Sequence, residues 1–178
     1  MELNSNLYLV LGSIVIGITG AWLDIKYRKI PNWFTFPAML TGVVLNLIFN
    51  LEGWYLSLLG LVVGFLILLI PFILGGIGAG DVKLLMALGA FLGVGKIISV
   101  GLCCGIAGGV LSLLAIVLQD GFFNIQHRLV LLVNSIWDKD IRQIVFRPDR
   151  TSKLVIPYGP AILIGLIAGL VWGPLWEI

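Results

Sequence analysis

The sequence predicts an all-α, polytopic membrane protein, and three observations carry that reading. Hydrophobic residues fill 60% of the 178 positions and charged residues only 11%. Mean hydropathy is +1.11, and a water-soluble chain of this size cannot hide so much apolar surface, so its solvent is lipid. The apolar residues fall in continuous runs rather than in alternation, which selects helices over a β-barrel. The net charge of +2, with no basic runs interleaved with aromatics, gives nucleic acid no footing.

A helix needs about 20 mainly apolar residues to cross the hydrocarbon core. The sequence offers six such spans, over 7–24, 35–50, 54–74, 82–96, 97–118 and 154–174. The amino terminus "MELNSN" has no basic n-region, and Lys26, Arg28 and Lys29 follow the first apolar run instead. That is the reverse of a cleavable signal peptide, so the first run is expected to stay as a membrane helix. Six crossings place Lys26, Arg28, Lys29, Lys83 and the cations of the 119–153 connection on one side, with Lys96 opposite. The basic side is the cytoplasmic one, and both termini then face outward.

The whole chain, 1–178, reads as one membrane domain with the 119–153 loop inside it. In that loop Ile125, Leu129, Leu132 and Ile136 share one helical face, which predicts an amphipathic helix on the cytoplasmic leaflet. His127 in the same loop reads as a surface residue. Gly101, Gly105 and Gly109, then Gly165, Gly169 and Gly173, recur at four-residue spacing and predict close helix packing. Cys103 and Cys104 are adjacent in an apolar run and read as small buried hydrophobes, neither a disulfide nor a metal site.

Against this background two acids stand out. Asp24, in "GAWLDIKYRKIPNW", ends the first span, and Asp81, in "LGGIGAGDVKLLMALGAF", begins the fourth. Both fall at the cytoplasmic depth, whereas Asp120 borders an exposed loop and Asp138, Asp140 and Asp149 lie within it. A carboxylate at a helix centre costs about 2.5–3.5 kcal/mol to insert, and less near the interface. Two acids at matched depth can share a proton and hydrolyse an amide, one as base toward water and the other as acid toward the carbonyl oxygen, with no metal or other cofactor. The helix ends suggest a division of labour. Asp81 at an amino end activates the water, and Asp24 at a carboxyl end serves as acid. Gly75, Gly76, Gly78 and Gly80 leave the backbone before Asp81 bare, so that another chain can approach it.

Other readings stay open at this level. Asp81 after "GAG" suits a helix N-cap. The pair also suits a small transporter or a proton- or cation-binding protein, and a non-enzymatic assembly subunit would use the acids only as caps.

The motifs narrow the choice. "DIKYRKIPNW", "GAGDVK" (Gly78, Gly80, Asp81, Lys83) and "IPYGPAI" occur in that order along the chain. Together with the six-span layout they resemble the type IV prepilin peptidases, the GxGD aspartic proteases of the membrane. Presenilin-type and signal-peptide-peptidase-type enzymes share GxGD but carry a Tyr-Asp motif one helix earlier, which this chain lacks. The resemblance implies a peptidase that removes the short basic leader from type IV pilin-like or flagellin-like precursors at the cytoplasmic face. It makes Asp24 and Asp81 the catalytic pair, Gly78 and Gly80 the approach to the second aspartate, and Lys83 a motif residue. It adds supporting roles for Pro31, Asn32, Pro157, Tyr158, Gly159 and Pro160. These have plain structural uses as well: Pro31 and Asn32 for a turn and cap before helix two, Pro157 and Pro160 for the start of the last helix, and Tyr158 as an interfacial anchor. Larger members add a cytoplasmic domain with two Cys-x-x-Cys pairs and methylate the new amino terminus. This chain resembles the short form without it, and no methyltransferase activity is expected.

Overall fold

The computed structural model describes residues 2–49, 54–73, 76–120 and 158–173, and all five elements there are α-helices. They are α1 (Glu2–Tyr27), α2 (Asn32–Phe49), α3 (Trp54–Ile73), α4 (Ala79–Asp120) and α5 (Gly159–Trp172). The first four are long and apolar enough to cross a membrane, and α5 is a shorter apolar helix. The predicted amphipathic helix, His127 and Pro157 lie outside the described residues.

At 1.5 Å per residue, a straight helix the length of α4 would run about 63 Å, twice the hydrocarbon thickness of about 30 Å. It does not run straight. Gly93 has φ 72° and ψ −179°, a conformation open to glycine alone, and breaks α4 into two limbs. The sequence placed this division between positions 96 and 97. The break falls at Gly93 instead, because the backbone there needs a residue without a Cβ.

Facing residues give the directions of the segments. On the first limb Leu84 meets Gly20 of α1 and Phe91 meets Gly12, so α1 and this limb are antiparallel. Gly64 and Gly60 of α3 face Leu85 and Gly89, again antiparallel. On the second limb Val100 and Cys104 face Gly169 and Gly165 of α5, while Gly101 meets Ile67. The chain therefore reverses at Gly93, and the two limbs act as the fourth and fifth of the six expected crossings.

The first limb is the centre of the molecule. Leu84, Leu85, Ala87, Leu88 and Ala90 are completely buried, ringed by α1, α2, α3 and the second limb. The core continues through Ile97, Val100, Cys104, Ile162 and Leu166. Outward positions are apolar too. On α1 the exposed face carries Leu7, Leu11, Val15, Ile18, Trp22 and Ile25, while Leu9, Ser13, Gly17, Gly20 and Asp24 face in. An apolar outside and small or polar residues inside is the pattern of helices packed in lipid.

Close backbone approach carries the packing. A Cβ at Gly165 would lie 2.6 Å from the Cys104 Cα, and one at Gly169 would lie 2.7 Å from the Val100 Cα. Those two glycines do what their spacing predicted. Among the described residues, however, Gly105 and Gly109 meet nothing within 4 Å, nor does Gly173 at the end of α5. The packed register on the second limb is Val100, Cys104 and Gly108, one position off the glycine register. Cysteine served there as the small residue.

Candidate active site

α1 delivers Asp24 in its last turn. The helix closes where Arg28 takes a φ of 52° and its amide donates to the Asp24 carbonyl at 2.8 Å. The chain turns through Ile30 and Pro31, and the Phe34 and Thr35 amides then donate to the Pro31 carbonyl at 3.1 and 3.3 Å. Pro31 thus caps α2 through its main chain, and Asn32, expected as the cap, is the first helical residue. Its side chain is released for another contact.

α4 delivers Asp81 in its first turn. The Asp81 and Val82 amides donate to the Gly78 carbonyl at 3.1 and 3.4 Å, so Gly78 is the capping position. The Asp81 carboxyl reaches back to accept the Gly78 N–H through Oδ2 at 3.2 Å, which is the acidic half of a capping box. The other oxygen, Oδ1, is buried and has no hydrogen-bond partner among the described residues. Capping therefore explains one oxygen of Asp81 and leaves the second unexplained.

Asp24 is held differently. Its Oδ2 accepts the Gly159 N–H at 2.7 Å, from the first residue of α5. Asp24 thus stands at the carboxyl end of α1 and also meets the amino end of α5, whereas Asp81 stands at the amino end of α4.

Asp24 and Asp81 are 6% and 7% exposed, and together they line one cavity of about 400 Å³. Its wall includes Gly78, Gly80 and Lys83 from the GAGDVK motif and Asn32 from the first motif. Lys83 Nζ donates to Asn32 Oδ1 at 2.8 Å and sits 5.3 Å from the Phe36 ring centroid. Gly80 serves the contact between motifs, since a Cβ there would lie 3.0 Å from Ile30 Cβ and 3.2 Å from its amide nitrogen. It borders the cavity but packs against Ile30.

Of the supporting residues, Tyr158 caps α5 and Pro160 occupies its first turn. The Tyr158 hydroxyl donates to the Cys104 carbonyl at 3.3 Å. Arg28, Lys29, Ile30 and Ala79 also line the cavity, beyond the residues that the sequence singles out. Their signal was proximity to a motif aspartate. A second, apolar cleft of about 290 Å³ adjoins, with Phe36, Met39, Phe65 and Phe72 among its walls, and shares Ala79 and Lys83 with the first.

Residues 9–113 match the model of the type IV leader peptidase family, which is more than half of the chain and includes both aspartates. The chain belongs to the type IV leader peptidase family. Relatives include a prepilin leader peptidase/N-methyltransferase of Xanthomonas campestris, 27% identical over 176 residues that cover 93% of this chain and 49% of that protein. A protein of the same name from Bacillus subtilis is 36% identical over 83 residues, covering 46% of this chain and 32% of its own length. One from Burkholderia pseudomallei is 33% identical over 100 residues, 52% of this chain and 32% of that protein. This leader peptidase family member thus spans no more than about half the length of these relatives. No solved structure matches it significantly. In leader peptidase terms, the matched segment runs from within α1 to within α4, and α5, with its contact to Asp24, lies beyond it.

Proposed function

We propose that this protein is a membrane-embedded aspartic endopeptidase that removes the short basic leader from type IV pilin-like precursors. The observation that carries the proposal is the meeting of two buried carboxyl groups in one cavity, one of them with an oxygen that has no partner among the described residues. The names of the relatives supply the substrate class.

Water bound between Asp24 and Asp81 is the nucleophile. One carboxylate takes its proton as the oxygen attacks the peptide carbonyl carbon, and the other, protonated, gives its proton to the carbonyl oxygen. As the tetrahedral diol collapses, the C–N bond breaks and the leaving nitrogen takes the proton held by the base. One diol hydroxyl returns a proton to the carboxylate that had served as acid, which restores the pair. The cavity opens where the last turn of α1 and the first turns of α2 and α4 come together. Arg28, Lys29 and Lys83 lie at this end, and an excess of cations favours a cytoplasmic site with both termini outward. The adjoining apolar cleft suits the apolar segment that follows a leader.

The test is reconstitution of the full chain in lipid with a pilin-type precursor. Leader loss is expected, and either Asp24→Asn or Asp81→Asn abolishes it. Acid-dependent ion flux without cleavage would instead make the pair a transport site.

A further inference from the structure

The fifth helix enters the site through one amide, and its neighbour on the chain explains how that amide is aimed. We infer that Gly159 and Tyr158 are positioning residues for Asp24: the amino end of α5 clamps the carboxylate, and Tyr158 pins that end to the second limb of α4. The inference rests on the proposed catalytic role of Asp24 and assigns residues that this role alone does not.

Gly159 donates its N–H to Asp24 Oδ2 at 2.7 Å, across 135 positions of sequence. No side chain other than hydrogen fits there. A Cβ on Gly159 would lie 2.8 Å from the Asp24 Cβ and 3.0 Å from the Ala21 Cα, and the latter is backbone, which cannot step aside. α5 begins one residue later than Tyr158, whose amide-preceding position fixes the aim of the Gly159 N–H. The Tyr158 ring lies over Gly108, where a Cβ would collide with the ring and its hydroxyl, and the hydroxyl donates to the Cys104 carbonyl at 3.3 Å. Cys104 in turn packs against Gly165 of the same helix. α5 is therefore fixed to α4 at two levels, and its free amino end is held against Asp24. Asp81 is arranged otherwise, since its single side-chain partner among the described residues is the amide of Gly78, the cap of its own helix. One carboxyl group is fixed by its own helix and the other by a distant one, so α5 sets where Asp24 stands.

The experiment uses the full chain in lipid nanodiscs, labelled with ¹⁵N-glycine, and a pilin-type precursor. Asp24→Ala shifts the Gly159 amide resonance and speeds its hydrogen exchange, while glycines remote from the site keep theirs. An unmoved Gly159 amide overturns the clamp. Tyr158→Phe lowers kcat by about 3–10-fold, the range one lost hydrogen bond gives, with KM unchanged. Gly159→Ala lowers kcat by about 100-fold, as expected for a misplacement near 1 Å. Wild-type kcat in both folded variants overturns the inference, as does a change confined to KM. If Gly159→Ala does not fold, Tyr158→Phe and the amide resonance decide. Cleavage that survives Asp24→Asn would instead overturn the catalytic reading, and the amide measurement would still report on the clamp.

Discussion

Lys83 and Asn32 are joined by a 2.8 Å hydrogen bond from ammonium to side-chain amide oxygen, and it ties the helix of Asp81 to the turn that follows Asp24. Lys83 lies two positions after Asp81, and Asn32 opens α2. The bond spans the cavity wall and, with Phe36 beneath, fixes where the positive charge stands. The pair is at the solvent-exposed edge, so each partner contributes modestly. Lys83→Met and Asn32→Ala are each expected to lower kcat/KM by about 3–10-fold, and the double variant by little more than the worse single. A double-mutant cycle on precursor cleavage measures this, and full additivity would show that the two act apart.

The aspartates allow stability and activity to be separated. An asparagine at 81 keeps a carbonyl oxygen that can accept the Gly78 N–H, and one at 24 can still accept from Gly159. Asp24→Asn and Asp81→Asn are therefore expected to unfold within about 1 kcal/mol of wild type, the scale of one hydrogen bond, while cleaving nothing. Asp81→Ala removes the reciprocal cap as well and is expected to unfold earlier. Thermal unfolding in detergent beside a cleavage assay checks both.

Methylation is expected to be missing from this chain's chemistry. The named relatives combine peptidase and N-methyltransferase, but the only cysteines here are Cys103 and Cys104, both inside α4 and with no Cys-x-x-Cys pair. The 178-residue chain, given cleaved precursor and a methyl donor, is expected to leave the new amino terminus unmodified. Mass spectrometry reads this directly, and a methylated product refutes it.

Much of the molecule was written locally enough to be read in the sequence. Asp24 and Asp81 declare themselves because a carboxyl group in an apolar run is costly, and cost calls for a reason. The helices declare themselves by hydropathy. What escaped depends on contacts between distant segments. The break at Gly93 hides because glycine also packs helices, and nothing local distinguishes the two uses. The register of the second limb hides because Cys104 and Val100 serve where glycines were expected. The amide of Gly159 has no sequence signature at all, since every residue but proline has one. Its neighbours "PYGP" mark the place without stating the function.

Asn46 and Ser57 show how the break at Gly93 is tolerated inside lipid. A helix end leaves carbonyl groups without partners, and the membrane offers no water to replace them. Asn46 Nδ2 donates to the Ala90 and Phe91 carbonyls at 2.9 and 3.3 Å, and Ser57 Oγ donates to Ala90 at 2.6 Å. These are the carbonyls just before the break. Asn46→Leu is expected to destabilise the protein by about 1–3 kcal/mol, the cost of leaving buried polar groups unpaired. Residual folded protein should keep its kcat, because Asn46 is far from the aspartates along α2. Loss of kcat at unchanged stability would contradict this division.

Gly93 itself supplies the sharper test of the reversal in α4. Its φ of 72° with ψ of −179° lies where a Cβ is strained whatever the surrounding space, and the surroundings are in fact open, with Leu56 atoms no nearer than 3.8 Å. Steric crowding and backbone strain are thereby separated at one position. Gly93→Ala is expected to cost about 1–3 kcal/mol through the backbone alone. Packing predicts the opposite ranking, in which Gly93→Ala is harmless and Gly89→Ala is severe, because a Cβ at Gly89 meets the Gly60 backbone. If the reversal is as described, both substitutions destabilise, and a D-alanine at 93, which accepts positive φ, restores stability while a D-alanine at 89 does not. Unfolding measurements on the four semisynthetic chains decide it. A harmless L-alanine at 93 would mean that the chain runs through this position as a continuous helix, and the two limbs would no longer count as separate crossings.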